Sequence, residues 1–117
     1  MKRRKKFIPA LKFDWLTRLF DPLMKLTFIE QKLRNDFLEQ VNIKDNETIL
    51  DFGCGTGTLA IMAKRKSPNA KICGVDVDFN ILKIASNKTK KEDCKISLQS
   101  YDGISLPYED ETFDKVI

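Results

Sequence analysis

Apolar and polar positions along this chain follow two rhythms. From about Leu26 to Val41 the apolar residues recur at helical spacing. Phe28 or Ile29, Leu33, Phe37, Leu38 and Val41 make the stripe, with charges on the other face, and the stripe is expected to pack on a sheet. Upstream, Leu16, Leu19, Phe20 and Leu23 keep the same spacing, but Pro22 splits the segment. An Asp45-Asn46 turn then ends the helical rhythm. Thr48 to Asp51 or Phe52 reads as a strand, and Thr58 to about Lys66 as a helix whose basic end suits a C-terminus. Ser67-Pro68-Asn69 is a turn. Lys71 to Asp76, with Ile72, Cys73 and Val75 apolar, reads as a second strand. Phe79 to about Thr89 reads as a second helix, with Asp78 as its N-cap. Lys95 to Tyr101 alternates through Ile96 and Leu98 as a third strand. Pro107 and Glu109-Asp110-Glu111 form a loop, and Phe113 to Ile117 begins a fourth strand. Strands that alternate with helices predict an α/β fold with a mostly parallel, Rossmann-like sheet. Four strands of it are present, preceded by N-terminal helices.

The first strand runs into the helix through Asp51-Phe52-Gly53-Cys54-Gly55-Thr56-Gly57. Glycine bends the backbone through positive φ and lets a ligand approach without a Cβ in the way. The following helix offers unpaired N–H groups. A dinucleotide fingerprint spaces its glycines as G-x-G-x-x-G and faces a pyrophosphate. Here the third glycine comes one residue early, and Thr58 stands where that fingerprint has glycine. Asp51 would repel a pyrophosphate and attract an ammonium or sulfonium. The expected ligand is cationic near the turn, with adenosine further along. The alternative is a structural strand-turn-helix with no ligand.

Ligands of open α/β sheets bind beyond the carboxyl ends of the strands. Asp51, the glycine turn, Asp76 and Asp102 all fall there. Asp76 ends the second strand 23 residues after Gly53. A carboxylate there accepts hydrogen bonds from both ribose hydroxyls of a nucleoside, and Val77 would lie flat against the base. Asp102 is placed to accept from an adenine N6 amine. The plainer readings are a cap or turn role for Asp76, weakened because Asp78 is the better cap, and an Asx turn for Asp102. Asp114 reads as structural.

Asp51-x-Gly53-x-Gly55-x-Gly57 after a strand resembles motif I of the class I S-adenosylmethionine-dependent methyltransferases. Asp102 through Leu106-Pro107-Tyr108 to Phe113-Asp114 resembles a run found in small-molecule methyltransferases of the ubiquinone-biosynthesis type. Leu19-Phe20-Asp21-Pro22-Leu23 resembles the family's Tyr-Asp element, which folds over the cofactor; Phe20 keeps a ring there but lacks the hydroxyl. The resemblance covers residues 13–117. It implies S-adenosyl-L-methionine as cofactor, held by Phe20, Asp51, Gly53, Cys54, Gly55, Thr56, Gly57, Asp76, Val77, Asp102 and Gly103. It implies methyl transfer to a small-molecule acceptor. The family's sheet is ordered 3-2-1-4-5-7-6, so this chain matches its first four strands and is expected to be a partial sequence, inactive alone. Acceptor-contacting groups come from strand 4 onward, so no catalytic residue is nominated. Self-association through the strand 4 edge is expected. Two rivals stand: a nicotinamide-dependent oxidoreductase, and a non-catalytic module binding the cofactor or a partner.

Composition adjusts this picture in three places. The 117 residues are 42% hydrophobic, which suits one globular domain, and no apolar run approaches the roughly 20 residues that span a bilayer. The net charge of +4 is concentrated in Lys2-Arg3-Arg4-Lys5-Lys6; without it, 16 basic residues face 17 acidic ones. Residues 1–12 read as a flexible basic tail ahead of the domain at 13–117. A solvated tail is the plain expectation, anionic lipid or RNA contact the sharper one, and nucleic-acid binding is not expected. Cys54, Cys73 and Cys94 have no metal or redox spacing, and there is no histidine. Histidine base chemistry is thereby excluded and no metal site is expected. The cytoplasm is the expected compartment.

Overall fold

The computed structural model describes residues 22–117. The basic tail, its boundary at residue 12 and Phe20 lie outside the described residues. The chain divides into two units, Met1–Phe37 and Leu38–Ile117.

Helix α1 spans Pro22–Val41. The helix opens at Pro22, one turn earlier than the Leu26 expected from periodicity, and the first helical position needs no N–H and favours the fixed φ of proline. The stripe on α1 departs from expectation. Leu38 is buried, but Leu26, Phe28, Ile29, Leu33 and Phe37 are all exposed. Helical periodicity explains the split. Phe37 and Leu38 point about 100° apart, and the face that Leu38 buries continues back through Arg34 and Gln31. Arg34 bridges Glu30 at 3.6 Å on that polar side.

The second unit holds β1 (Thr48–Phe52), α2 (Thr58–Lys66), β2 (Lys71–Asp76), α3 (Phe79–Lys91), β3 (Ser97–Ser100) and β4 (Lys115–Val116). Every pairing is parallel, and the strand order is β3-β2-β1-β4. The α/β, Rossmann-like half-sheet expected from the alternation is therefore present. Parallel strands covered on both faces read as continuous apolar runs, which is why Ile49 and Leu50 are both buried. On one face Ile49 and Ile72 pack with Leu38, Ala60, Ala63 and Ala70. On the other, Leu50, Cys73 and Val75 pack with Tyr101, Tyr108 and Phe113.

The outer strands are shorter than their apolar patterns. β3 begins at Ser97, which pairs with Cys73, and Ile96 packs on the core without joining the ladder. β4 is short, but Asp114 N donates to Thr48 O (2.8 Å) and Ile117 N to Leu50 O (2.8 Å). The Asp114 carboxylate accepts from Thr48 N at 2.7 Å, so its role is to staple β4 to β1. No helix among the described residues is long and apolar enough to cross a membrane.

Candidate functional site

The chain steps outward from β1 to β2 to β3, then returns to the far side of β1 as β4. That reversal puts a crevice at the carboxyl end of β1. The glycine turn fills it. Gly53 N and Cys54 N both donate to Val75 O, at 2.8 and 3.0 Å, which ties the turn to β2. Gly53, Gly55 and Gly57 have φ of 72°, 55° and 85°, where a side chain is strained. A Cβ on Gly53 or Gly55 would meet nothing within 4 Å, so their outer side is open to a ligand. Gly57 differs: its Cβ would sit 3.5 Å from Ala85 Cβ, so it serves the packing of α2 on α3. Thr56 is exposed, its hydroxyl 3.5 Å from that of Thr58.

Two carboxylates back this turn. Asp76 Oδ2 accepts from Gly55 N at 2.9 Å, and Oδ1 accepts from Asp78 N at 2.9 Å. A carboxylate has about four lone-pair sites, so each oxygen keeps capacity for a further donor. Capping of α3 falls to Asp78, which accepts from Asn80 N and Ile81 N. Asp51 is 4% exposed, and its Oδ2 is buried without a hydrogen-bond partner. Burial, and then the charge of Asp76, push the Asp51 carboxyl up to about 6. An orphaned carboxyl beside a second carboxylate calls for a cation.

Two loops meet beyond the ends of β2 and β3. Val77 is exposed after β2. Gly103, at φ 85°, would place a Cβ 3.5 Å from Val77 Cγ1, which brings the loop after β3 against it. Asp102 Oδ1 accepts from Ile104 N and Ser105 N, each at 2.8 Å. Those bonds, Ser105 first, hold its carboxyl below the usual range. Asp102 thus forms the Asx turn that shapes this loop, and it stands exposed at the site's rim.

Cys54 turns its side chain inward. It is buried, and burial, then Asp51 and Asp76, push its thiol up to about 11, so it stays protonated. The sulfur packs against Gly74, a residue that sequence reasoning missed. A Cβ on Gly74 would lie 2.9 Å from both Cys54 Sγ and Leu98 Cδ2. An isolated glycine inside a strand pattern is the signal for such an approach. Phe52 was also missed as a site residue. It is half-exposed at the end of β1, its ring 5.8 Å from that of Tyr101.

Residues 49–117 match the family described as a methyltransferase domain. The chain belongs to that family. It is similar to a demethylmenaquinone methyltransferase of Thermus thermophilus, 36% identical over 92% of this chain and 46% of that protein. It is also similar to a demethylmenaquinone methyltransferase of Symbiobacterium thermophilum, 30% identical over 89% of this chain and 43% of the relative. Among solved structures, the [4+2]-cyclase SpnF matches 73% of this chain and 32% of its own, with 28% identity and a TM-score of 0.67. The chain spans less than half the length of these relatives.

The residues present fit the cofactor of S-adenosylmethionine-dependent methyltransferases. The orphaned Asp51 carboxyl suits a cationic amino-acid end, the open glycines leave room beside it, and Asp76 suits a ribose. Phe20 lies outside the described residues.

Proposed function

We propose that this chain carries the S-adenosylmethionine-binding part of a methyltransferase that acts on a small-molecule acceptor. One observation carries the reading: a buried, unpartnered Asp51 carboxyl beneath a glycine turn whose outer side is open. A pyrophosphate ligand would meet two negative carboxylates there, which disfavours a nicotinamide dinucleotide. When bound, the cofactor supplies an electrophilic methyl group whose sulfur leaves as a neutral thioether. The chain's own residues bind and orient. Asp76 receives the ribose hydroxyls, Val77 and Gly103 flank the base, and Asp102 receives its amine. Gly53, Gly55 and Thr56 border the amino-acid end, with Cys54 supporting the turn from beneath. Alignment and water exclusion are the contributions expected of such a site. No catalytic residue is assigned.

Demethylmenaquinone, the substrate that the relatives' names carry, is the first acceptor to test. Three free thiols, Cys54, Cys73 and Cys94, support a reducing compartment, and we place the protein in the cytoplasm. The open edge of β4, where Val116 is exposed, supports self-association. Calorimetric titration with S-adenosylhomocysteine and with NADH tests the cofactor assignment. Binding of the first and not the second is expected; the reverse would overturn it.

A further inference from the structure

Asp51 stands on β1, which is flanked by β2 and β4. It is 4% exposed, and its Oδ2 has no hydrogen-bond partner among the described residues. No cation there bears on it. On β4, Lys115 pairs in register with Ile49 and donates to Glu47 and the Asn42 carbonyl, each at 2.9 Å. On β2, Lys71 lies opposite Thr48 at the far end of β1. On α2, Lys64, Arg65 and Lys66 occupy the last turn, away from the glycines. On α3, Lys88 donates to Thr58 Oγ1 at 2.8 Å. The charge that does reach Asp51 is another acid, Asp76, which already accepts from Gly55 N and Asp78 N. In the turn, the Cys54 thiol meets both carboxylates and stays protonated.

We propose that Asp51 is a proton switch on the cofactor site: the empty site favours its protonated form, and a ligand with a cationic end binds the ionised form, so that binding releases a proton. The switch rests on the cofactor assignment made above. Burial without a donor disfavours the carboxylate, and so does a like charge beside it. Together they raise the carboxyl to about 6. The chain has no histidine, the side chain that ordinarily titrates in this range. Gly53, two residues on, is open on its outer side. An ammonium held at the turn supplies the missing positive charge, and an opposite charge within about 4–6 Å lowers a carboxyl by about 1–3 pKa units. Protons and ligand therefore compete. Affinity falls as pH falls through about 6. At this residue acid strengthens the empty fold and loosens the ligand.

The test is calorimetric titration of the whole chain at about pH 7.5 and about pH 5, each in two buffers of different ionisation enthalpy, which reads the protons released. The probes are S-adenosylhomocysteine and methylthioadenosine, which keeps the nucleoside and the sulfur but has no ammonium. Near pH 5 about one empty site in ten holds an ionised Asp51. S-adenosylhomocysteine is therefore expected to bind about tenfold more weakly there, with release of about one proton per ligand. Methylthioadenosine is expected to keep its affinity and release none. Asp51→Asn is expected to bind S-adenosylhomocysteine more weakly than wild type at the higher pH, and equally at both. Equal wild-type affinity for S-adenosylhomocysteine at the two pH values would overturn the switch and leave the cofactor assignment standing. So would an equal loss by methylthioadenosine, or a pH dependence that survives in Asp51→Asn. Failure of wild type to bind S-adenosylhomocysteine at the higher pH would overturn the cofactor assignment, and the switch with it.

Discussion

Asp51→Asn is expected to gain stability relative to wild type as pH rises, in the ligand-free chain, and to weaken its hold on S-adenosylhomocysteine. The Asp51 carboxyl is raised from 3.8 to about 6 by burial and by Asp76. Two pKa units correspond to about 3 kcal/mol between protonation states. A raised acid is harder to ionise in the folded state than in the unfolded one, so its ionisation destabilises the fold. The penalty is absent well below pH 4, builds between about 4 and 6, and is complete above 6. Asparagine has nearly the same shape and never ionises. Its amide is itself left unpaired, which costs about 1–3 kcal/mol at every pH. The pH dependence separates the two contributions. The stability of Asp51→Asn relative to wild type is expected to be about 2 kcal/mol more favourable at about pH 8 than at about pH 4. Urea unfolding of both chains at both pH values measures this, as a relative midpoint shift on the order of 1 M. A difference that does not change with pH would refute the reasoning, because it would mean that Asp51 ionises as easily folded as unfolded.

Three further substitutions test the rest of the site. Asp76→Ala is expected to weaken S-adenosylhomocysteine at least about tenfold, since charge-assisted hydrogen bonds contribute about 1.5–3 kcal/mol each; equal affinity by calorimetry would remove the ribose assignment. Gly74→Ala forces a Cβ to within 2.9 Å of Cys54 Sγ and Leu98 Cδ2, and overpacking of this kind costs about 1–3 kcal/mol in urea unfolding. Adding Cys54→Ala to that variant is expected to recover part of the loss, and no recovery would place the clash elsewhere. Asp78→Ala removes the cap bonds to Asn80 N and Ile81 N and is expected to cost about 1 kcal/mol, with cofactor affinity unchanged.

What was readable from sequence follows from what local patterns encode. β1, α2, β2 and α3 were placed almost to the residue because turns, glycines and a cap punctuate them. β3 and β4 were overdrawn because pairing with the neighbouring strand decides where a strand stops: Ile96 is apolar enough for a strand, but the ladder to β2 begins at Ser97. The α1 stripe was misread for a related reason. Periodicity identifies an apolar face and says nothing of what covers it, so the packing expected for Ile29, Leu33 and Phe37 did not follow. The places of the glycine turn, Asp76 and Asp102 after the ends of β1, β2 and β3 were legible through spacing. The solitary state of Asp51 Oδ2 was not, since it depends on which donors the fold brings near. Gly74 carried the signal of an isolated strand glycine, but its neighbours, Cys54 and Leu98, were not readable because they are distant in sequence.

The close seat of Cys54 on Gly74 carries a consequence for how this domain varies. The two positions share one small volume, so a larger residue at either demands a smaller one at the other. Chains that diverge from this one are expected to change them together. A library that randomises the glycine turn while holding Gly74 constant would recover mainly small residues at position 54. Releasing both positions at once would open the turn to redesign without disturbing the open side of Gly53 and Gly55.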